Sequence, residues 1–218
     1  MPSASAPDAE QLIAALESPA LRELAARGRI QPYRKDVVML QEGDHGDTLY
    51  VVLAGRVKVF ATGADDREIV FDIHGPGEYV GEMALDGGPR SASVMTLEPS
   101  RFSVITTEQF KQFFAQHPDI GLELIKSLIH RVRALTKTVG NLGLLDVYGR
   151  VARLLLDLAV EENGSQVIKE HLTQQDMASR VGCSREMISR ILKDLRVGGY
   201  IRMDGDHMII AKKPPSAW

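Results

Sequence analysis

Two runs of residues bring together groups that can do chemistry. The first is Gly81-Glu82-Met83-Ala84-Leu85, followed by Pro89-Arg90-Ser91-Ala92-Ser93-Val94. An anion taken out of water is stable only beside a permanent cation and hydrogen-bond donors. Arg90 supplies the cation, and Ser91 adds a hydroxyl and an amide. Glu82 and the Gly81 amide can accept from, and donate to, a ribose 2′-hydroxyl. A sugar phosphodiester would use all of these groups. In isolation, however, an Arg–Glu pair in a loop is usually a salt bridge of small worth.

The second run is Gly182-Cys183-Ser184-Arg185-Glu186-Met187-Ile188-Ser189-Arg190. On a helix, Arg185, Ser189 and Lys193 recur at intervals of four, with Glu186 and Arg190 alongside, opposite a stripe of Ile188, Ile191, Leu192 and Leu195. Arginine suits guanine O6 and N7, and glutamate accepts from a cytosine amino group. Arg185, Glu186 and Arg190 could therefore read a G·C-containing half-site in a major groove. Thr173, Gln175 and Ser184 could hold backbone phosphates at helix N-termini. The plainer alternative is a solvated helix face with a Glu186–Arg190 surface ion pair.

The elements that must position these groups can be read from periodicity. After an apolar-periodic segment (Leu12, Ile13, Leu16, Leu21, Leu24), the stretch from about Tyr33 to Ile105 reads as short strands punctuated by glycines. Leu49–Leu53 and Val57–Ala61 suggest a hairpin turned at Gly55, and the whole stretch suggests a barrel or jelly roll. From Thr107 the pattern is helical. Ile125, Leu128, Val132, Leu135, Val139 and Leu142 step by three, four, three, four, three, a heptad seam for pairing with a second copy. Beyond Asp146, Val151, Leu154, Leu155 and Leu158 predict a helix ending near Glu162-Asn163-Gly164. A second helix is capped by Thr173 with Asp176, and a third by Ser184 after a turn at Gly182. Asp204-Gly205-Asp206 marks a closing hairpin. The fold class is α+β: an N-terminal β-roll over residues 10–117, a long dimerisation helix over 118–145, and a winged helix-turn-helix over 146–213.

Composition narrows the function. The 218 residues carry a formal net charge of −3, yet Gln166–Lys213 holds nine Lys/Arg against six Asp/Glu, a basic bias where the second motif lies. No signal-peptide core or long apolar run is present, which predicts a cytoplasmic protein that does not enter a membrane. The single cysteine, Cys183, excludes an internal disulfide and a Cys-ligated cluster, and reads as a buried small apolar residue. The six histidines are scattered, and no nucleophilic triad, Walker-type loop or metal-ligand spacing occurs. No catalytic residue, metal site or bound cofactor is expected, and the chain does not read as an enzyme.

Nearly the whole chain, about Leu12 to Lys213, resembles the cyclic-AMP receptor protein and FNR family of bacterial transcription regulators. Three matches carry the resemblance. They are the run from Gly81 to Val94, the helix end Val139-Gly140-Asn141-Leu142-Gly143-Leu144-Leu145-Asp146-Val147 with Gly149-Arg150, and Val181-Gly182-Cys183-Ser184-Arg185-Glu186. The resemblance implies a cyclic nucleotide held by Gly81, Glu82, Met83, Ala84, Arg90 and Ser91, with Leu135 and Thr136 at its base. It also implies a homodimer on a two-fold-symmetric site in double-stranded DNA, read by Arg185, Glu186 and Arg190 with Thr173, Gln175, Ser184 and Ser189 beside them. RNA polymerase is a further expected partner. Cyclic AMP is the first expectation for the effector. Where the family pattern has a Thr-Ser pair, however, this chain has Leu135-Thr136, and the lost hydroxyl leaves cyclic GMP and cyclic di-GMP open. A more distant alternative is a cyclic-nucleotide-binding regulatory subunit of an enzyme. The outward arginines of the winged helix argue against that class, and the FNR-type cysteine cluster is absent.

Overall fold

The computed structural model describes residues 8–215 except 66 and 163. The chain divides into two compact units, one running up to Ala61 with Phe71–His130, the other comprising Thr62–Val70 and the chain from Arg131 on. In the first unit, α1 (Ala9–Ala14) and α2 (Pro19–Arg27) start at Asp8 and Ser18, whose side chains accept from backbone amides of the first turn. Eight strands come next: β1 (Arg29–Tyr33), β2 (Val38–Leu40), β3 (Thr48–Ala54), β4 (Val57–Thr62), β5 (Glu68–His74), β6 (Tyr79–Val80), β7 (Ser93–Thr96) and β8 (Ser100–Thr106). They form two antiparallel sheets in the orders β1-β8-β3-β6 and β2-β7-β4-β5.

The hairpin expected at Gly55 does not form. β3 pairs with β8 up to Ala54↔Arg101, whereas β4 pairs with β7 from Val57↔Thr96, so the chain changes sheets at Gly55. Gly55 has φ 82, and a Cβ there would lie 2.8 Å from the Pro99 carbonyl oxygen. Only glycine permits both that left-handed backbone and that approach. Alternation of buried residues along two consecutive strands looks the same whether they pair with each other or face each other across a core. Between the sheets pack Leu40, Val52, Val57, Val80, Val94 and Phe102. Tyr33 and Tyr50 meet the Phe102 ring edge-on at 5.6 and 6.2 Å.

A second apolar cluster joins α2, β3 and α3 (Thr107–Gln116), centred on Leu24, Ala25, Val51, Ile105 and Phe113. The long helix α4 (Asp119–Leu144) comes after it. Beyond Ile120, which is buried, most of its apolar seam faces solvent in the single chain: Ile125 is 53% exposed, Val132 62% and Val139 67%. Intrahelical packing does not account for such a stripe.

The second unit also holds α5 (Val147–Leu158), α6 (Gln174–Val181) and α7 (Arg185–Val197). Its four-stranded sheet is ordered β11-β12-β10-β9, from β9 (Val160–Glu162), β10 (Ser165–Ile168), β11 (Ile201–Asp204) and β12 (His207–Ile210). α5 therefore ends at Leu158, four residues earlier than expected, and Gly164 (φ 75) turns the β9–β10 hairpin instead of capping a helix. β9 is exposed along its whole length, which leaves no burial pattern to reveal it. The core runs from Val151 and Leu155 through Ile188, Leu192 and Leu195 to Ile201 and Ile210.

Candidate functional site

The loop between β6 and β7 is shaped by two left-handed glycines. Gly81 (φ 85) opens a 3-10 turn, Glu82–Asp86, and Gly87 (φ 82) closes it. The Asp86 carboxylate accepts from the Gly88 amide at 2.7 Å, and the chain then returns toward β7. Arg90 is anchored by its backbone: its amide donates to the Asp44 carbonyl at 2.8 Å, and its carbonyl accepts from the Gly43 amide at 2.9 Å. Its side chain is only 5% exposed. Nη1 donates to the Gly81 carbonyl at 2.7 Å, and Nη2 to the Thr48 carbonyl and hydroxyl at 2.8 and 3.2 Å. A Cβ at Gly46 would come within 2.8 Å of Nη2, and one at Gly81 within 2.9 Å of Nη1.

All of these acceptors are uncharged. Among the described residues no carboxylate lies within ion-pairing distance of Arg90. The guanidinium has five N–H donors, more than these three contacts employ. A buried cation with spare donors and no counter-charge is destabilising unless an anion completes it. Glu82 and Ala84 are buried in the 3-10 turn, Met83 is half-exposed, and Ser91 is exposed at the end of the loop. The loop thus gathers Gly81, Glu82, Ala84 and Arg90, with Met83 and Ser91 on its outer side. Leu135 and Thr136 stand on the part of α4 that belongs to the other unit. Leu135 is 43% exposed, and the Thr136 hydroxyl donates back to the Val132 carbonyl at 2.9 Å.

Sequence reasoning did not find Thr48 or Gly46. They lie more than forty residues from Arg90, and only the sheet register brings them to it. The signal present, Gly43, Gly46 and Asp47 just before a strong strand, does not by type differ from an ordinary turn.

In the second unit, α6, Gly182 (φ 73) and α7 form the helix-turn-helix. Thr173 and Asp176 make a reciprocal capping box, with the Thr173 hydroxyl donating to the Asp176 carboxylate at 2.6 Å. Ser184 accepts from the Met187 amide at 3.2 Å and starts α7. Ile188, Ile191, Leu192 and Leu195 are buried, while Gln175, Ser184, Arg185, Glu186, Ser189, Arg190 and Lys193 face solvent. Glu186 and Arg190 do not form an ion pair. Instead, a hydrogen bond from its own backbone amide, then one from the Ser184 hydroxyl, hold the Glu186 carboxyl below the usual carboxylate range. Cys183 is half-buried rather than buried. Desolvation pushes its thiol up, partly offset by the charge of Arg150.

Among the described residues there is no group of three or more His, Cys, Asp or Glu that could hold a metal ion, and no helix is long and apolar enough to cross a membrane.

Residues 30–117 match the family model of the cyclic nucleotide-binding domain, and residues 149–215 that of the Crp-like helix-turn-helix domain. The chain is 33% identical over 190 residues to a CRP-like cAMP-activated global transcriptional regulator of Mycobacterium tuberculosis, covering 84% of this chain and 85% of the relative. It is 30% identical over 200 residues to the cAMP-activated global transcriptional regulator CRP of Salmonella typhimurium, covering 88% and 94%. Among solved structures it is similar to the c-di-GMP responsive global regulator CLP of Xanthomonas campestris. That likeness has a TM-score of 0.77 at 30% identity, over 88% of this chain and 98% of the other.

Proposed function

The chain belongs to the cyclic-AMP receptor protein and FNR family of transcription regulators, as a cyclic-nucleotide-responsive DNA-binding protein, and we propose that its effector is cyclic AMP, held by Arg90. The observation that carries this reading is the burial of the Arg90 guanidinium among neutral acceptors, which the cyclic phosphate would complete. Gly81, Glu82, Met83, Ala84 and Ser91 line the sugar and phosphate, and Leu135 and Thr136 meet the base. Two copies pair through the exposed seam of 118–145, between a ligand domain at 10–117 and a DNA-binding domain at 146–213. Each copy then presents Arg185, Glu186 and Arg190 to one half of a two-fold-symmetric duplex, while Thr173, Gln175, Ser184 and Ser189 contact the backbone. The protein works in the cytoplasm, with RNA polymerase as a partner, and catalyses no reaction itself.

Cyclic di-GMP is the second reading. It is favoured by Leu135, which offers no hydroxyl to an adenine, and by the likeness to the c-di-GMP responsive regulator. A thermal-shift panel of cyclic AMP, cyclic GMP and cyclic di-GMP separates them. A ligand at a hundred times its dissociation constant stabilises the folded state by about 2.7 kcal/mol. The expected result is a rise with cyclic AMP that Arg90→Gln abolishes without lowering the ligand-free melting temperature. A rise with cyclic di-GMP alone selects the second reading, and no rise with any of the three refutes both.

A further inference from the structure

Of the six histidines only His74 is buried, 2% exposed, and it belongs to neither motif. It ends β5, in the sheet β2-β7-β4-β5, and the chain then crosses through Gly75–Glu78 to β6 in the sheet β1-β8-β3-β6. A buried imidazole needs a hydrogen-bond partner. Nδ1 lies 3.2 Å from one carboxylate oxygen of Glu78, and because a carboxylate only accepts, the ring donates from Nδ1. The other Glu78 oxygen accepts from the Gly75 amide at 2.8 Å. Nε2 is 3.7 Å from the Asp72 carboxylate, beyond hydrogen-bond reach. Glu78 therefore ties the end of one sheet to the entry of the other.

The residues after the turn give this tie its consequence. β6 is only two residues long, and Gly81 comes directly after it. The Gly81 carbonyl accepts from Arg90 Nη1 at 2.7 Å, so the placement of β6 bears on where the guanidinium points. On one side the turn is held by β3: the Gly77 amide donates to the Val52 carbonyl at 3.0 Å, and the Val52 amide to the Glu78 carbonyl at 2.9 Å. A Cβ at Gly75 or at Gly77 would meet nothing within 4 Å, so the tip of the turn is open and hydrogen bonds set its shape. On the β5 side the tie runs from His74 to Glu78. We infer that His74 is a positioning residue for the nucleotide: through Glu78 it fixes the strand that presents the Gly81 carbonyl to Arg90. This role rests on Arg90 holding a cyclic phosphate.

The test is a calorimetric titration of cyclic AMP into full-length wild type, His74→Leu, His74→Asn, Glu78→Ala, and the double variant carrying His74→Leu and Glu78→Ala. Leucine fills much of the ring's space but donates nothing. Asparagine fills less of it, yet its amide puts a donor close to where Nδ1 stands. His74→Leu should weaken cyclic AMP binding by about fivefold, the net worth of one hydrogen bond, while His74→Asn stays within about twofold of wild type. A role in packing alone reverses that order, because asparagine leaves the larger void. Glu78 is half exposed, so Glu78→Ala spares the core and should reproduce the loss. The double variant should lose no more than the larger single loss, since both changes remove one interaction. Wild-type affinity in His74→Leu, weaker binding by the asparagine variant than by the leucine variant, or losses that add in the double variant each overturn the inference. In a wild type that binds cyclic AMP, those results leave the effector reading standing. If His74→Leu does not fold, Glu78→Ala decides, and wild-type affinity in it is equally fatal. A wild type that binds no cyclic AMP removes the effector reading, and the inference with it.

Discussion

Burying a guanidinium without a carboxylate costs several kcal/mol before hydrogen bonds are counted, and Arg90 is held in that state by Thr48, Gly81 and a backbone clamp to residues 43–44. The side chain is thus fixed before any anion arrives, which lowers the entropy cost of binding one. Loss of its charge-assisted contacts in Arg90→Gln should weaken nucleotide binding by about 3 kcal/mol, more than a hundredfold, in a calorimetric titration. On the DNA side, Arg185 is exposed, open to meet a base edge. Arg185→Ala should cost about 1–3 kcal/mol on a selected duplex and relax preference at one base pair. Equal losses on selected and random DNA would instead make Arg185 a phosphate contact. Glu186 is less ready, since its carboxylate is turned onto the start of its own helix and would have to leave Ser184 to accept from a base. The motif residues themselves were legible in the sequence because each motif is contiguous. Thr48 was not, since it acts through a partner far along the chain and does not stand out by type.

Between elements, the exposed stripe of α4 carries the main consequence. Val139 is 67% exposed in the single chain, so Val139→Glu should change the stability of one protomer by no more than about 0.5 kcal/mol. Across a paired seam, the same carboxylate would be desolvated. Sedimentation should show the dimer dissociation constant rising at least tenfold, about 1.4 kcal/mol. A variant that stays as dimeric as wild type would place the interface elsewhere. The caps of the helix-turn-helix could be read from sequence, because Thr173, Asp176, Gly182 and Ser184 each have one local job, whereas the end of α5 could not. Strand partnership could not. The Gly55 crossing and the exposed β9 depend on which strand lies alongside, and a period-two pattern is silent about that.

At the scale of the whole molecule, a ligand in one unit can alter DNA binding by the other only if it binds two states with different affinity. The basic bias of the C-terminal third will attract any duplex, and more strongly at low salt, so affinity for DNA alone says little about regulation. Reciprocity is the sharper demand, because a nucleotide that tightens DNA binding must itself be bound more tightly by the DNA complex, by the same factor. The most direct measurement is therefore a calorimetric titration of cyclic AMP into the protein, free and saturated with a selected two-fold-symmetric duplex, at one salt concentration. A regulator built as described should show a dissociation constant about tenfold lower in the complex, with the gain absent in Arg90→Gln. Identical dissociation constants with and without the duplex would contradict the account.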